Sequence, residues 1–208
     1  MTTLFMKQRR KCLSILGAFV AMGVLAGCTS QPPVPTDKFY RLQAVFAAAP
    51  FNSVKFPGNL EIERFSADGL TAGRPIVYID SQNTNQLLEY HYHFWTQPPT
   101  IMLRDELVSY LRTAKMFSNV VIPEMRLNPD YVMTGRILKM EQVVGAPDRT
   151  RLELEISLRR PDNGKLMFLK TYTHESEQTS PGVSSAVTSL NEALNVIYSD
   201  LLADLQHL

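Results

Sequence analysis

The chain has 208 residues, of which 45% are hydrophobic, 20% charged and 9% aromatic, an ordinary globular composition that excludes wholesale disorder. Its 21 Lys and Arg against 20 Asp and Glu leave a formal charge of +1, which excludes the strong basic field that non-specific nucleic-acid binding requires. The balance is uneven along the chain: Lys7, Arg9, Arg10 and Lys11 open it, and no acid precedes Asp37.

Behind that basic cluster comes an apolar run from Cys12 to Val24 and then Leu25-Ala26-Gly27-Cys28. Positive region, short apolar core and small-residue site follow one another in the order of a secretory signal that is removed. At about a dozen residues the core is too short to cross a bilayer of roughly 30 Å. Leu-Ala-Gly-Cys resembles the lipobox of bacterial lipoproteins, which predicts cleavage between Gly27 and Cys28 and lipid on the Cys28 thiol. Residues 1–27 are therefore read as a signal peptide. The covalent diacylglyceryl and N-acyl lipid on Cys28 is the prosthetic group expected, and no separate cofactor is. Cys12 leaves with the signal and Cys28 is acylated, so the mature chain offers no cysteine for a disulfide, a metal site or a nucleophile. One acyl chain holds a protein reversibly, whereas two or three hold it for good. Thr29 and Ser30 stand where lipoproteins retained at the inner membrane often carry Asp, so the inner leaflet of the outer membrane, facing the periplasm, is favoured over the inner membrane.

Residues 28–38 read as the lipidated cysteine and a tether, because Pro32, Pro33 and Pro35 among small polar neighbours favour extended chain. From Thr29 to Lys38 the tether reaches at most about 35 Å. A single periplasmic domain is expected over residues 39–208. Phe39–Leu42 is a first strand, followed by strands at Asn59–Phe65 and Pro75–Asp80. Leu88, Tyr90, Tyr92 and Phe94 alternate with Glu89, His91, His93 and Trp95, the period of a half-buried strand. Thr100 is positioned to cap a helix from Ile101 to Lys115, with Leu103, Leu107, Leu111 and Ala114 on one face. Strands follow at Val120–Ile122 and Asp130–Gln142. Over Arg151–Arg159 the alternation is complete, and Pro161-Asp162-Asn163-Gly164 turns the chain into a strand at Leu166–Thr173. The last helix runs from Ser184 to His207, with Val187, Leu190, Leu194, Ile197, Leu201 and Leu205 spaced by three or four. The fold class expected is α/β, a two-layer sandwich whose mixed or antiparallel sheet of about eight strands is covered by two amphipathic helices.

No catalytic centre emerges. His91 and His93 share a strand face, with His174 as a conceivable third ligand, but the chain lacks the cysteines and the H-E-x-x-H pattern that would make a metal site. Glu153 and Glu155 lie about 7 Å apart on one face, flanked by Arg151 and Arg159, which reads as a charge-balanced solvated surface. Ser184 lacks the buried strand that a nucleophile elbow requires and reads as a helix cap. No phosphate-binding glycine motif is present. The aromatic run reads as core beneath the first helix. If those side chains are instead exposed, then Tyr90, Tyr92, Trp95, His91 and His93 are the candidate partner contacts.

The lipobox, Phe39-Tyr40-Arg41-Leu42, Gly73-Arg74-Pro75-Ile76-Val77-Tyr78, and Tyr90-x-Tyr92-x-x-Trp95-x-x-Pro98-Pro99 before an amphipathic helix together resemble the ABC-type transport auxiliary lipoproteins. That group includes the lipoprotein of the paraquat-inducible intermembrane transport system. The resemblance implies a non-enzymatic, outer-membrane-anchored accessory whose partners are the membrane and an MCE-domain periplasmic protein served by an inner-membrane ABC transporter. Cargo then passes through the partner or through a ring of copies, a homo-oligomer. A different class stays open: an outer-membrane lipoprotein that regulates envelope assembly, by activating peptidoglycan synthesis or assisting lipopolysaccharide assembly. The short tether weighs against that second reading.

Overall fold

In the computed structural model, which describes residues 34–208, the strand expected over Arg151–Arg159 runs from Arg149 to Arg159. Its Leu152, Leu154, Ile156 and Leu158 are at most 1% exposed. The signal peptide, Gly27, Cys28 and most of the tether lie outside the described residues.

In chain order the elements are β1 (Lys38–Tyr40), β2 (Phe56–Ile62), β3 (Ser66–Ala67), β4 (Pro75–Asp80), β5 (Asn83–Trp95), helix α1 (Pro99–Ala114), β6 (Phe117–Val121), β7 (Tyr131–Val144), β8 (Arg149–Arg159), β9 (Leu166–Glu177) and helix α2 (Val183–Gln206). The strands form one mixed nine-stranded sheet. The two-residue β3 is the strand the sequence reading lacks. Along one edge, β7 pairs antiparallel with β8, and β8 with β9. Along its other edge β7 holds three parallel neighbours in succession: β2 at Tyr131–Met133, β3 at Arg136–Ile137 and β4 at Gln142–Val144. That side of the sheet therefore forks. One arm continues from β4 through β5 to β1, and the other from β2 to β6.

Both helices bury their expected stripes on one face of the sheet. Leu103, Leu107, Leu111 and Ala114 of α1 are fully buried, as are Leu194, Leu201 and Leu205 of α2. The Tyr198 hydroxyl donates to the Leu103 carbonyl at 2.7 Å, tying α2 to α1, and its complete burial holds the phenol well above the ordinary tyrosine range. The opposite face is a charged lattice in which Arg151 reaches Glu141 and Glu175, and Lys139 reaches Glu153 at 3.1 Å.

The helix starts differ from expectation. Pro98 occupies the cap position of α1, and Thr100 is buried in the first turn with its Oγ1 accepting from Arg64 Nε at 3.1 Å. Gly182, at a φ of 104° that suits glycine, precedes α2, and Ser184 caps nothing.

Between β1 and β2 the chain passes against both helices. Side chains of those helices satisfy its backbone: Gln43 N–H donates to Asn191 Oδ1, Ala44 N–H to Glu106 Oε2 and Val45 N–H to Asn195 Oδ1. In the sheet, the Phe65 ring lies directly on Gly135, where any Cβ would overlap it, and Phe65 is itself buried. Gly135→Ala is expected to lower stability by about 1–3 kcal/mol through overpacking. The check is a lower urea midpoint at unchanged m-value, and an unchanged midpoint would mean that the ring yields freely.

Candidate functional site

The aromatic strand is where the simple alternation fails. Val77 pairs with Glu89, so an unbroken ladder would set Pro75 opposite His91, yet Pro75 pairs with Phe94. The extra residues form a bulge that re-aims the side chains after Tyr90. Tyr90 and His93, three apart, consequently meet edge to face at 5.6 Å.

Of the five residues considered as partner contacts, Trp95 is buried and Tyr90 and His93 are half-buried against neighbouring rings. Trp95 is 2% exposed and belongs to the main core, and its N–H donates to the Arg74 carbonyl at 2.7 Å. Tyr90 packs on Tyr78 with ring centroids 4.4 Å apart, and its hydroxyl donates to Gln142 Oε1 at 2.9 Å. Burial, reinforced by Tyr78 and Asp148, pushes that phenol up to about 12. His93 stacks on Tyr40, whose hydroxyl hydrogen-bonds Nδ1 at 2.9 Å. Burial first, and the Lys38 charge second, lower its pKa, so the imidazole is neutral at neutral pH. His91 and Tyr92 remain exposed.

Beside them β1 adds residues expected as strand and as part of the family resemblance, but not as contacts. Phe39 is 55% exposed and lies 5.8 Å from Phe94 by ring centroid. The Arg74 guanidinium stands 5.5 Å from the centre of the Phe39 ring. Lys38 and Arg41 are exposed on either side of Phe39 in the chain. The end of this sheet arm is thus aromatic and cationic at once. His174 lies opposite Leu152 on the β8–β9 ladder, and among the described residues no three His, Cys, Asp or Glu side chains converge as metal ligands. Glu153 and Glu155 face Lys139 and Arg136 across the β7–β8 ladder, the solvated arrangement expected.

A second surface lies at the end of the other arm. Here β6 pairs with β2 alone, and an open groove of about 610 Å³ runs along it, lined by Val54, Arg112, Lys115, Val121, Met125 and Leu127 among others. Val54, Met125 and Leu127 are 47–48% exposed. Two cations line the groove and no acid does; Arg112 Nε donates to the Val120 carbonyl at 2.8 Å. The contributing residues are scattered over several segments, so no local periodicity announces this surface.

The family model described as the ABC-type transport auxiliary lipoprotein component matches residues 40–201. A crystal structure of a Xanthomonas campestris protein of family DUF330 is similar with a TM-score of 0.67 at 18% identity, covering 79% of this chain and 92% of that one. Another, of an uncharacterized protein, gives a TM-score of 0.65 at 17% identity, with coverage of 82% and 99%. At such identities the likeness is one of fold. No curated protein matches the chain.

Proposed function

The chain belongs to the family of ABC-type transport auxiliary lipoprotein components, and from that premise we propose that it is an outer-membrane accessory of an intermembrane transport system. Lipid on Cys28 anchors it to the inner leaflet, facing the periplasm, and it docks the periplasmic MCE assembly served by an inner-membrane ABC transporter. Phospholipid or other hydrophobic cargo passes through that assembly, and ATP is consumed on another subunit. The observation that carries the reading is the family's folded unit standing some ten residues after a cysteine in a lipobox.

The groove along β6 is where we place the MCE partner. An edge strand with apolar side chains beside it accepts an extended segment as an added strand. Arg112 and Lys115, with no acid in the lining, favour a segment that carries acidic side chains among apolar ones. Several copies around one assembly multiply a weak contact by avidity, and self-association belongs to the same reading.

Affinity purification of the tagged lipoprotein from envelope extracts tests it. Recovery of an MCE-domain protein is expected, reduced about tenfold or more when Met125→Asp and Leu127→Asp are combined, the equivalent of about 1.4 kcal/mol in binding. Circular dichroism should show the double variant folded. Failure of the unaltered protein to bring down any MCE protein overturns the proposal.

A further inference from the structure

We propose that the β1 end of the folded unit is a membrane-contact surface, with Phe39 and Tyr92 seated among the headgroups of an anionic phospholipid leaflet and Lys38, Arg41 and Arg74 drawn to its charge. This rests on the reading of Cys28 as an acylated anchor and extends it: the bilayer is met by the protein fold as well as by the lipid.

The distribution of aromatic residues is the first support. Among the described residues, Phe39 and Tyr92 are the exposed aromatic side chains, and both stand at this one edge. Phe39 keeps 55% of its surface in water although Phe94 and Arg74 lie against it. Aromatic bodies favour the membrane–water boundary, and long cationic side chains lay their stems on apolar surface while keeping the head at the phosphates.

Charge points the same way. Lys38, Arg41 and Arg74 are exposed and make no ion pair among the described residues, Arg74 Nε donating instead to the Trp95 carbonyl at 3.1 Å, and Asp37 is the one acid in the stretch from Val34 to Arg41. Clusters of Lys and Arg beside an anchor are attracted to anionic lipid within a Debye length of the surface.

The length of chain ahead of β1 supplies the occupant. Lys38 is the tenth residue after Cys28, a reach of at most about 35 Å when fully extended, while a domain of this size has a radius of gyration of about 16 Å. The tether is therefore no longer than the unit is wide, and β1 is the element on which it enters. A surface held that close needs little intrinsic affinity, because tethering makes its local concentration high. The groove on β6 lies at the opposite end of the strand order, which leaves it free for a protein partner.

The test uses the mature acylated lipoprotein in vesicles of phosphatidylethanolamine and phosphatidylglycerol. Since lipid blocks the Cys28 thiol and the mature chain has no other cysteine, Tyr92→Cys and Leu127→Cys each provide one site for an environment-sensitive fluorophore. The label at position 92 is expected to shift to shorter wavelength, to be quenched by lipids spin-labelled near the headgroup, and to lose part of both effects when phosphatidylcholine replaces phosphatidylglycerol. The label at 127 should stay aqueous throughout. A label at 92 that reports water in these vesicles overturns the inference, as does one that responds only to added MCE protein or to rising protein concentration. Mass spectrometry of the same sample separates the two readings: missing acyl mass defeats the anchor and this inference together, whereas acylated protein with an aqueous label defeats this inference alone.

Discussion

Trp95→Ala is expected to cost the folded unit about 3–5 kcal/mol, the range for removing a buried large aromatic side chain. Trp95 is 2% exposed and sits at the end of β5, where β1 and the start of α1 close over the same core. The loss falls on the ring, which belongs to the main core, since the alanine keeps the backbone N–H that donates to the Arg74 carbonyl. Domains have only about 5–15 kcal/mol of stability in total, so a drop in Tm on the order of 10 °C should accompany the change. Tyr92→Ala, three residues earlier on the same strand, is expected to stay within about 0.5 kcal/mol because its side chain is exposed. Urea unfolding followed by far-ultraviolet circular dichroism is the suitable measurement, since Trp95 is the one tryptophan and its removal abolishes the usual fluorescence signal. Equal losses for the two variants would contradict the inward and outward assignments made for this strand.

That pair of residues also marks how far the sequence was legible. Where a strand is regular over its whole length, alternation names the core correctly, as at Leu152, Leu154, Ile156 and Leu158. The stripes of both helices follow from spacing for the same reason: helix geometry is local and repeats. On β5 the period of two is broken by a bulge whose position depends on pairing with β4, through partners 12 and 19 residues away in sequence, so local inspection could not locate it. The expected inward set of Leu88, Tyr90, Tyr92 and Phe94 accordingly splits, and Trp95 takes the core.

The helix starts failed for a different reason. Thr100 is a good cap by type, but in the fold its hydroxyl is taken by Arg64, and the turn is set by Pro98 and Pro99. Ser184 loses its place to Gly182, whose φ of 104° fixes the entry of α2. Both are contests between a local preference and a contact or backbone angle that the whole chain imposes. Of the surfaces, the residues of the β5 edge were visible as a cluster of aromatics, whereas Phe39 acquires meaning only when β1 is laid parallel to β5. The β6 groove was invisible for a further reason, since Val54, Arg112, Met125 and Leu127 come together only in three dimensions.

Cys28→Ala is expected to have the largest effect on function while leaving the folded unit intact. The described core begins at Leu42, fourteen residues after Cys28. Thermal unfolding of the variant should therefore match the parent, within about 0.5 kcal/mol. Its location should not. Each methylene of an acyl chain contributes about 0.8 kcal/mol to membrane attachment, so two or three chains hold permanently what the protein surface alone holds only transiently. Carried on a secretory signal that ordinary signal peptidase removes, the variant should leave the outer-membrane fraction and appear soluble in the periplasm. The aromatic edge at Phe39 and Tyr92 sharpens this expectation: without the acyl anchor its local concentration at the leaflet collapses, so residual binding should be weak and sensitive to salt. The measurement is membrane fractionation in a strain lacking the MCE protein, at low and at high ionic strength. A variant still sedimenting with outer membrane at high salt in that strain would show that attachment does not depend on the Cys28 sulfur.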